Sequence, residues 1–375
     1  ISESEQRKTL TSLGFRLEGD MAQVPSWRPD VQGEADLVEE VARIASLTKL
    51  QGRPLPRLTP GVPKPVLSAM QRREAIARRT CAALGYNECV SYSFIDQASA
   101  ALFGGGTDDT RLENPISADM SHMRPSLLPA LLQAAARNQA RGFADMALFE
   151  VGPVFTGGEP GEQHLQVSGV LVGRTGPKDV HGASRNVDLF DVKADIEAIL
   201  ASIGAPAKVQ INRNGDEWWH PGRHGQICLG PKKALAVFGE IHPRVLNALD
   251  VKGPAMGFTL WPANVPLPRK AGSTRPALSV SALQAVERDF AFVVDAGGDA
   301  LMLVNAAMGA DKTLIDDVRV FDEFIGGALG EGKKSLALTV RMQPSDKTLK
   351  DADIEAVSNK VIEKVTKATG GVLRG

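Results

Sequence analysis

The last third of the chain carries an order of secondary-structure patterns that few folds can accommodate. Hydrophobic periodicity predicts four strands and two helices, in the order strand 287–294, helix 300–308, strand 315–324, strand 334–342, helix 350–369 and strand 371–374. This βαββαβ order is typical of the ferredoxin-like fold, an antiparallel sheet with two helices on one face. Because many unrelated proteins use that fold, the pattern predicts an architecture and leaves the function open.

Prolines interrupt the chain well before this region. Five of them fall within residues 53–65, where they remove amide donors and restrict the residues before them, so neither a regular helix nor a central strand can form. A second boundary is expected near residues 269–274. The sequence therefore predicts three domains, namely a partial small helical domain at 1–52, a core at 66–268 and the ferredoxin-like domain at 272–375.

The predicted core contains more strands than crossover helices. Strands are expected at 88–93, 146–155, 167–172, 208–212, 227–229 and 234–239, and helices at 70–84, 126–140 and 191–203. Several strands follow one another without a helix between them, which favours a largely antiparallel sheet. The expected fold class of the whole chain is α+β.

Composition excludes several classes of protein. A net charge of -1 over 375 residues provides no global attraction to nucleic acid or membrane, so such binding would depend on local patches. Three unclustered cysteines argue against a disulfide framework or a structural zinc site. No stretch approaches the ~20 apolar residues of a membrane span, and we expect a cytoplasmic protein. Its start at Ile1, within a helical pattern, predicts a piece of a longer chain.

Carboxylates crowd one face of a predicted helix near the start of the chain. Leu37, Val41 and Ile44 form an apolar stripe beside this acidic face. The candidate metal ligands are Asp30, Asp36, Glu39 and Glu40. Magnesium, which takes one or two carboxylates and keeps its waters, suits this set better than calcium, which needs more ligands. The alternative is that acidic residues simply favour the positive end of the helix dipole.

Charge is segregated within the predicted ferredoxin-like domain. Residues 272–332 carry 4 Lys/Arg and 10 Asp/Glu, whereas residues 333–375 carry 9 and 5. Basic residues along one edge of the sheet would bind RNA phosphates. The candidates are Lys333, Lys334, Arg341, Lys347, Lys350 and Arg374. A solvated charged rim is the alternative interpretation.

Three groups of motifs resemble the beta-subunit family of bacterial phenylalanine-tRNA ligases. The first comprises Val24-Pro-Ser-Trp-Arg-Pro-Asp and Asp36-Leu-Val-Glu-Glu-Val-Ala-Arg-Ile. The second comprises Asn114-Pro-Ile-Ser-Ala-Asp-Met-Ser-His-Met-Arg-Pro-Ser-Leu-Leu-Pro and Leu148-Phe-Glu-Val-Gly-Pro-Val-Phe. The third comprises Glu287-Arg-Asp-Phe-Ala-Phe-Val-Val, Val320-Phe-Asp-Glu-Phe and Lys347-Thr-Leu-Lys-Asp. Their order along the chain matches the family.

The resemblance implies a non-catalytic scaffold and tRNA-binding subunit. The family's magnesium ligands would fall on Asp30, Asp36, Glu39 and Glu40, and residues 66–268 would form a class II synthetase-like core without catalytic motifs. The active site, and the ATP that the holoenzyme uses, would belong to an alpha subunit, so that this chain alone would be inactive. The assembly would contain two alpha and two beta subunits, and residues 272–375 would bind the tRNA anticodon. The family's editing domain would lie upstream of Ile1, outside this sequence.

Two other functions remain open at this point. The acidic cluster alone would also suit a free-standing magnesium-dependent phosphoryl-transfer enzyme. The basic edge alone would suit a generic RNA-binding or protein-interaction module. Activity without a partner would favour the first, and lack of affinity for a synthetase alpha chain would favour the second.

Overall fold

The computed structural model describes residues 1–56, 66–176, 180, 182, 184–231, 233–267, 277, 278 and 280–374. The chain divides into two compact units, residues 1–269 and 270–375. The proline-rich connector is described only as far as residue 56, and the expected boundary at 269–274 lies outside the described residues.

The first unit begins with two helices and a small hairpin. Their bounds are α1 Glu3–Ser12, β1 Arg16–Glu18, β2 Met21–Gln23 and α2 Glu34–Ala45. Ser2 caps α1, since its hydroxyl accepts a hydrogen bond from the Glu5 amide at 3.3 Å while the Glu5 carboxylate accepts from the Ser2 amide. Leu10, Phe15, Val31 and Val41 form a small core between these elements. The helical pattern at the start of the chain and the helix that carries the carboxylates are confirmed as α1 and α2.

A seven-stranded sheet forms the rest of the first unit. Its strands are β3 Asn87–Glu88, β6 Met146–Phe155, β7 Gln163–Val172, β8 Gln210–Asn212, β9 Trp219–Leu229, β10 Lys233–Ile241 and β11 Ala255–Leu260. A separate short pair is formed by β4 Phe94–Ile95 and β5 His122–Met123. The order in the large sheet is β3-β6-β7-β11-β10-β9-β8. Every neighbouring pair is antiparallel except β3 with β6. The prediction of a largely antiparallel sheet is therefore confirmed.

Helices supply apolar side chains to two separate cores of this unit. They are α3 Ala69–Ala83, α4 Gln97–Ala101, α5 Leu128–Gln139, α6 Leu189–Ser202 and α7 Pro243–Ala248. Side chains from α3 and α6 belong to one core, and side chains from α5 and α7 belong to the other. Strand residues contribute to both cores because successive side chains point to opposite faces of a sheet.

Several strands of this unit differ from the predictions. The strand expected at 88–93 is confined to β3, after which the chain leaves the sheet once the Cys89 amide has bonded to the Phe149 carbonyl at 2.7 Å. Strand β11 was not expected, since all six of its residues are buried and the sequence shows no alternation. Strand β9 begins at Trp219, long before the expected 227, because a shift in its pairing with β10 accommodates Pro221 and Gly222.

The second unit has the βαββαβ order that the sequence predicts. Its elements are β12 Val286–Asp295, α8 Ala300–Met308, β13 Ile315–Phe324, β14 Lys333–Met342, α9 Asp351–Thr369 and β15 Val372–Leu373. The four strands form an antiparallel sheet in the order β13-β14-β12-β15. Inward residues such as Phe292, Leu338 and Val361 form one core with the helices. The α+β class and the ferredoxin-like arrangement are both confirmed.

Candidate metal and nucleic-acid sites

An arginine lies between two of the predicted magnesium ligands. The Arg28 guanidinium donates to Asp30, with Nη2–Oδ2 at 2.7 Å and Nε–Oδ1 at 2.9 Å. It also donates to Glu40, with Nη1–Oε2 at 2.8 Å and Nη2–Oε1 at 3.0 Å. Arg43 adds a further hydrogen bond of 2.8 Å to Glu40. Such paired contacts are the strong form of a carboxylate–guanidinium interaction.

These hydrogen bonds hold the carboxylates in their charged form. Glu40 is only 5% exposed, and hydrogen bonds from Arg28 and then Arg43 lower its pKa to about 2. The hydrogen bonds from Arg28 also lower the pKa of Asp30. The positive charge that the acidic face requires is therefore supplied from within the chain.

Asp36 and Glu39 do not join this arrangement. The Asp36 carboxylate accepts hydrogen bonds from the amides of Gln32 and Gly33, at 2.7 and 2.9 Å, and so caps the start of α2. Glu39 lies exposed on α2. Across the described ranges, no group of three or more His, Cys, Asp or Glu side chains is placed to hold a metal ion. The four residues as arranged do not fit magnesium, and the metal site stays a prediction.

A buried ion pair between Arg124, which follows β5, and Glu150 in β6 was not singled out from the sequence. Arg124 and Glu150 are 2% and 4% exposed, and their Nη1 and Oε1 atoms lie 2.7 Å apart. Arg124 also donates to the Ser91 hydroxyl and to the Pro153 carbonyl, both at 2.9 Å. Ser91 donates in turn to Glu150 at 2.6 Å. All of these partners come from the protein itself, so this guanidinium is engaged structurally rather than held open for a phosphate.

The six candidate RNA-binding residues fall into two groups in the second unit. Lys333 and Arg341 lie toward opposite ends of β14, which places their backbones about 27 Å apart at the usual rise per residue of a strand. Lys334 and Arg374 lie toward the Lys333 end, since Arg374 follows β15 and contacts Phe324, which is paired with Ser335. Lys347 and Lys350 follow the other end of β14.

Most of these basic side chains are already paired with carboxylates. The pairs are Lys333 with Asp295 at 2.6 Å, Lys334 with Glu323 at 3.1 Å, Arg341 with Asp316 at 2.5 Å and Lys347 with Asp353 at 4.0 Å. Apart from Lys334, whose side chain is only 13% exposed, these are exposed pairs, which exchange readily with solvent or with phosphate because each contributes little to stability. The expected continuous basic edge is therefore two separate, partly neutralised groups.

An aromatic surface accompanies the group at the Lys333 end. Phe321, Phe324 and Ile325 are 58%, 42% and 70% exposed at the end of β13. The Arg374 guanidinium carbon lies 5.5 Å from the centre of the Phe324 ring, which is a cation–π distance. Aromatic rings and guanidinium planes are the surfaces on which unpaired RNA bases stack. Sequence reasoning missed these rings, although two phenylalanines in a polar strand segment were a usable signal.

Three models of protein families match successive parts of the chain. Residues 1–46 match the tRNA synthetase B5 domain, residues 55–261 the phenylalanyl tRNA synthetase beta chain CLM domain, and residues 281–374 the ferredoxin-fold anticodon binding domain. Each of the three descriptions refers to tRNA synthetases or to anticodon binding. These matches and the observed α+β architecture define the class as aminoacyl-tRNA synthetase chains.

Curated relatives agree with the family models. The chain is 79% identical to the phenylalanine–tRNA ligase beta subunit of Ruegeria pomeroyi and 67% identical to that of Cereibacter sphaeroides, in each case over 100% of this chain and 47% of the relative. The beta subunit of Brucella suis is 49% identical over 100% of this chain and 48% of the relative. The chain belongs to the phenylalanyl tRNA synthetase beta chain family. It spans about half the length of these relatives.

One solved structure is also similar in part. A pyrrolysyl tRNA synthetase from Desulfitobacterium hafniense matches with a TM-score of 0.40 and 13% identity, covering 70% of this chain and 87% of that chain.

Within the part of the chain that the structure describes, none of the helices is both long and apolar enough to cross a bilayer.

Proposed function

We propose that this chain is the C-terminal part of a beta subunit that supports ATP-dependent attachment of phenylalanine to its tRNA. The order of the B5, CLM and anticodon-binding matches, together with 79% identity to a named beta subunit, carries this proposal. The chemistry would take place on an alpha subunit, in a cytoplasmic assembly of two alpha and two beta subunits. The predicted domain limits, 1–52, 66–268 and 272–375, belong to the same proposal.

The buried ion pair of Arg124 with Glu150 supports a non-catalytic role for this chain. Arg124 and Glu150 satisfy one another and are shielded from solvent. A catalytic arginine must be free to contact substrate phosphate, which this one is not. The alternative of a free-standing phosphoryl-transfer enzyme requires a metal ion among these carboxylates. It is disfavoured because the Arg28 guanidinium lies between Asp30 and Glu40, where that ion would bind.

The proposed tRNA surface centres on the aromatic end of the ferredoxin-like unit. Phe321, Phe324 and Arg374 offer stacking surfaces, and Lys333 and Lys334 lie toward the same end of the sheet to meet phosphates. Arg341, Lys347 and Lys350 would contact the RNA backbone at the other end. The group at the Lys333 end, which comprises Lys333, Lys334 and Arg374, combines charge with stacking. We therefore assign it the larger share of the affinity for tRNA.

Replacing the basic residues at the Lys333 end tests whether that end contributes more to tRNA binding than the other end. We expect Lys333→Ala, Lys334→Ala and Arg374→Ala together to weaken tRNA binding about tenfold or more near physiological salt, and to reduce the salt dependence of binding. The matched control replaces Arg341, Lys347 and Lys350, which removes the same charge. Filter binding of tRNA to the assembled ligase at several salt concentrations gives both affinity and slope. An equal or larger loss in the control would refute the preference for the aromatic end.

The proposed contact with the alpha subunit begins at the edge of the seven-stranded sheet. Val90 and Tyr92 are 93% and 69% exposed, and they follow β3, which among the described strands pairs only with β6. Apolar side chains at an exposed sheet edge favour association and are usually covered in the native assembly. The printed name of the relatives, a beta subunit, supports an alpha subunit as the partner that covers them.

A charge placed at this edge tests the contact. We expect Tyr92→Glu to reduce co-purification of the alpha subunit at least tenfold, because the introduced carboxylate would be desolvated in the interface. Phe143→Glu is a matched control, since Phe143 is also an exposed aromatic at 62% but lies outside the β3 edge. Retention of the partner by Tyr92→Glu would exclude this edge from the interface.

A reconstitution experiment tests the proposed function as a whole. The full-length protein is purified with and without the alpha subunit, and phenylalanine-dependent charging of tRNA is measured. We expect activity only from the two together. Charging by the beta chain alone would overturn the non-catalytic assignment, and failure to associate with the alpha subunit would favour the generic RNA-binding alternative.

A further inference from the structure

A cavity in the first unit, open to solvent at one end, is not used by anything described above. It has a volume of about 210 Å³ and is reached by side chains of β6, β7, β9, β10 and β11. A liquid water occupies about 30 Å³, so the space equals roughly seven waters. This is room for a single-ring molecule of about ten non-hydrogen atoms and too little for a nucleotide.

The base of the cavity holds an unused hydrogen-bond donor. Gln166 is 4% exposed, and its Oε1 accepts from the Leu127 amide at 3.0 Å and from the Ser168 hydroxyl at 3.3 Å. Since the Leu127 amide can only donate, it fixes which side-chain atom of Gln166 is the oxygen. The amide nitrogen then remains, and within the described chain it donates to no partner. This nitrogen is not among the fully buried atoms that lack a partner, so it reaches water in the cavity, and a ligand acceptor would replace that water.

Aromatic rings also line the cavity. Trp218, Trp219 and Trp261 line it, and Phe103 packs against Trp218 with ring centres 5.6 Å apart. Val154 and Val237 complete these walls. Flat apolar walls of this kind select a planar ring, because edge and face contacts between aromatic rings add to the burial of area.

A carboxylate lies at the solvent end. Asp216 is exposed and lines the cavity, whereas Gln166 and Thr259 in the same lining are 4% and 5% exposed. The Asp216 carboxylate accepts no hydrogen bond from another side chain in the described ranges. His164, also at the open end, is engaged with the Thr156 hydroxyl at 3.3 Å. A negative group beside tryptophan rings attracts an organic cation and disfavours an anion.

We propose that this cavity binds a small aromatic amine that carries a hydrogen-bond acceptor on its ring opposite the amine. The ring lies among the tryptophans, the acceptor meets the Gln166 amide nitrogen, and the amine meets Asp216. Tyramine is the probe because its phenol oxygen, ring and ammonium group supply these three features within ten non-hydrogen atoms. The site is separate from the ion pair of Arg124 and from the RNA surface, so it adds a ligand to the proposed function.

Ligand-observed saturation-transfer NMR on the assembled ligase measures binding with the probe itself. Excess phenylalanine is present throughout to block amino-acid sites elsewhere in the assembly. We expect tyramine to bind about 3- to 10-fold more tightly than phenethylamine, which lacks the hydroxyl, since a neutral hydrogen bond accounts for that range. We expect Asp216→Asn to weaken both amines about tenfold or more and to leave 4-ethylphenol, which lacks the amine, unchanged.

Gln166→Met tests the base of the cavity, and we expect it to abolish the preference for tyramine over phenethylamine. The ratio of the two affinities is independent of how much of the variant is folded, because both amines report on the same folded fraction. Absence of tyramine binding at millimolar concentration would show that the cavity holds only water. Equal binding of the two amines by the unaltered protein, or an unaltered preference in Gln166→Met, would equally overturn the proposal. Charging activity of the same preparations reports on the proposed function independently.

Discussion

Arg124→Met is expected to destabilise the first unit by about 3–5 kcal/mol, because it leaves the Glu150 charge buried without its partner. Glu150 is 4% exposed and, among the described residues, would retain only the Ser91 hydrogen bonds. Chemical denaturation at neutral pH, followed through the tryptophans of this unit, measures the change in the free energy of unfolding.

Two further variants separate the ion pair from simple loss of packing. Arg244→Met removes an exposed pair with Glu217, whose atoms lie 3.0 Å apart, and should cost less than about 1 kcal/mol. The double variant Arg124→Met/Glu150→Leu should recover much of the lost stability, since no unpaired charge then remains. If the double variant is as unstable as Arg124→Met alone, the loss arises from packing and the ion-pair explanation fails.

Arg28→Met is expected to make the start of the chain dependent on magnesium. In the unaltered protein, Arg28 and Arg43 neutralise Glu40, and millimolar magnesium should leave the exchange rates of the α2 amides unchanged. Without Arg28, Glu40 and Asp30 lose their paired donor, so α2 should exchange at least tenfold faster, and magnesium should restore part of the protection. Hydrogen exchange on the complete protein measures this, with Arg43→Met as the matched control. Magnesium-dependent protection already present in the unaltered protein would establish the metal site that the sequence predicts.

The same ion pair has a defined pH dependence. The pKa of Glu40 is lowered from 4.5 to about 2, so its contribution to stability is fully present above pH 4.5 and is lost as the pH falls toward 2. In Arg28→Met the largest cause of that lowering is absent. Acid unfolding of α2 in that variant should therefore begin at a higher pH than in the unaltered protein.

The bounds of the helices and strands in the ferredoxin-like unit could be predicted from the sequence because each of them has its own hydrophobic periodicity. Strand 315–324 and helix 300–308 were predicted with the observed bounds, and the other four elements differ by one or two residues at their ends. Strand β11 shows the opposite case. It lies inside the sheet with every residue buried, so it lacks the alternation on which a strand prediction depends.

The candidate sites were harder to predict because they depend on which charges meet. Helical spacing predicted that Asp36, Glu39 and Glu40 lie on one face of a helix. Arg28 precedes α2, however, and only the folded structure shows that its guanidinium bonds to Glu40. Similarly, Arg124 and Glu150 lie 26 positions apart, and nothing in the spacing of either indicates the other. Hydrophobic periodicity in the sequence identifies the buried face of a helix or strand. Which distant charges form an ion pair depends instead on how the helices and strands are arranged in the folded chain.

The buried guanidinium of Arg124 also restricts which residues position 152 can hold. A methyl group built on Gly152 would lie 2.8 Å from Arg124 Nη2 and 3.6 Å from Glu150 Oε1. Any side chain there would collide with the arginine, whose position the surrounding acceptors fix. Positions 124, 150 and 152 are thus mutationally coupled, and a larger residue at 152 becomes acceptable only after the arginine has been exchanged for something shorter.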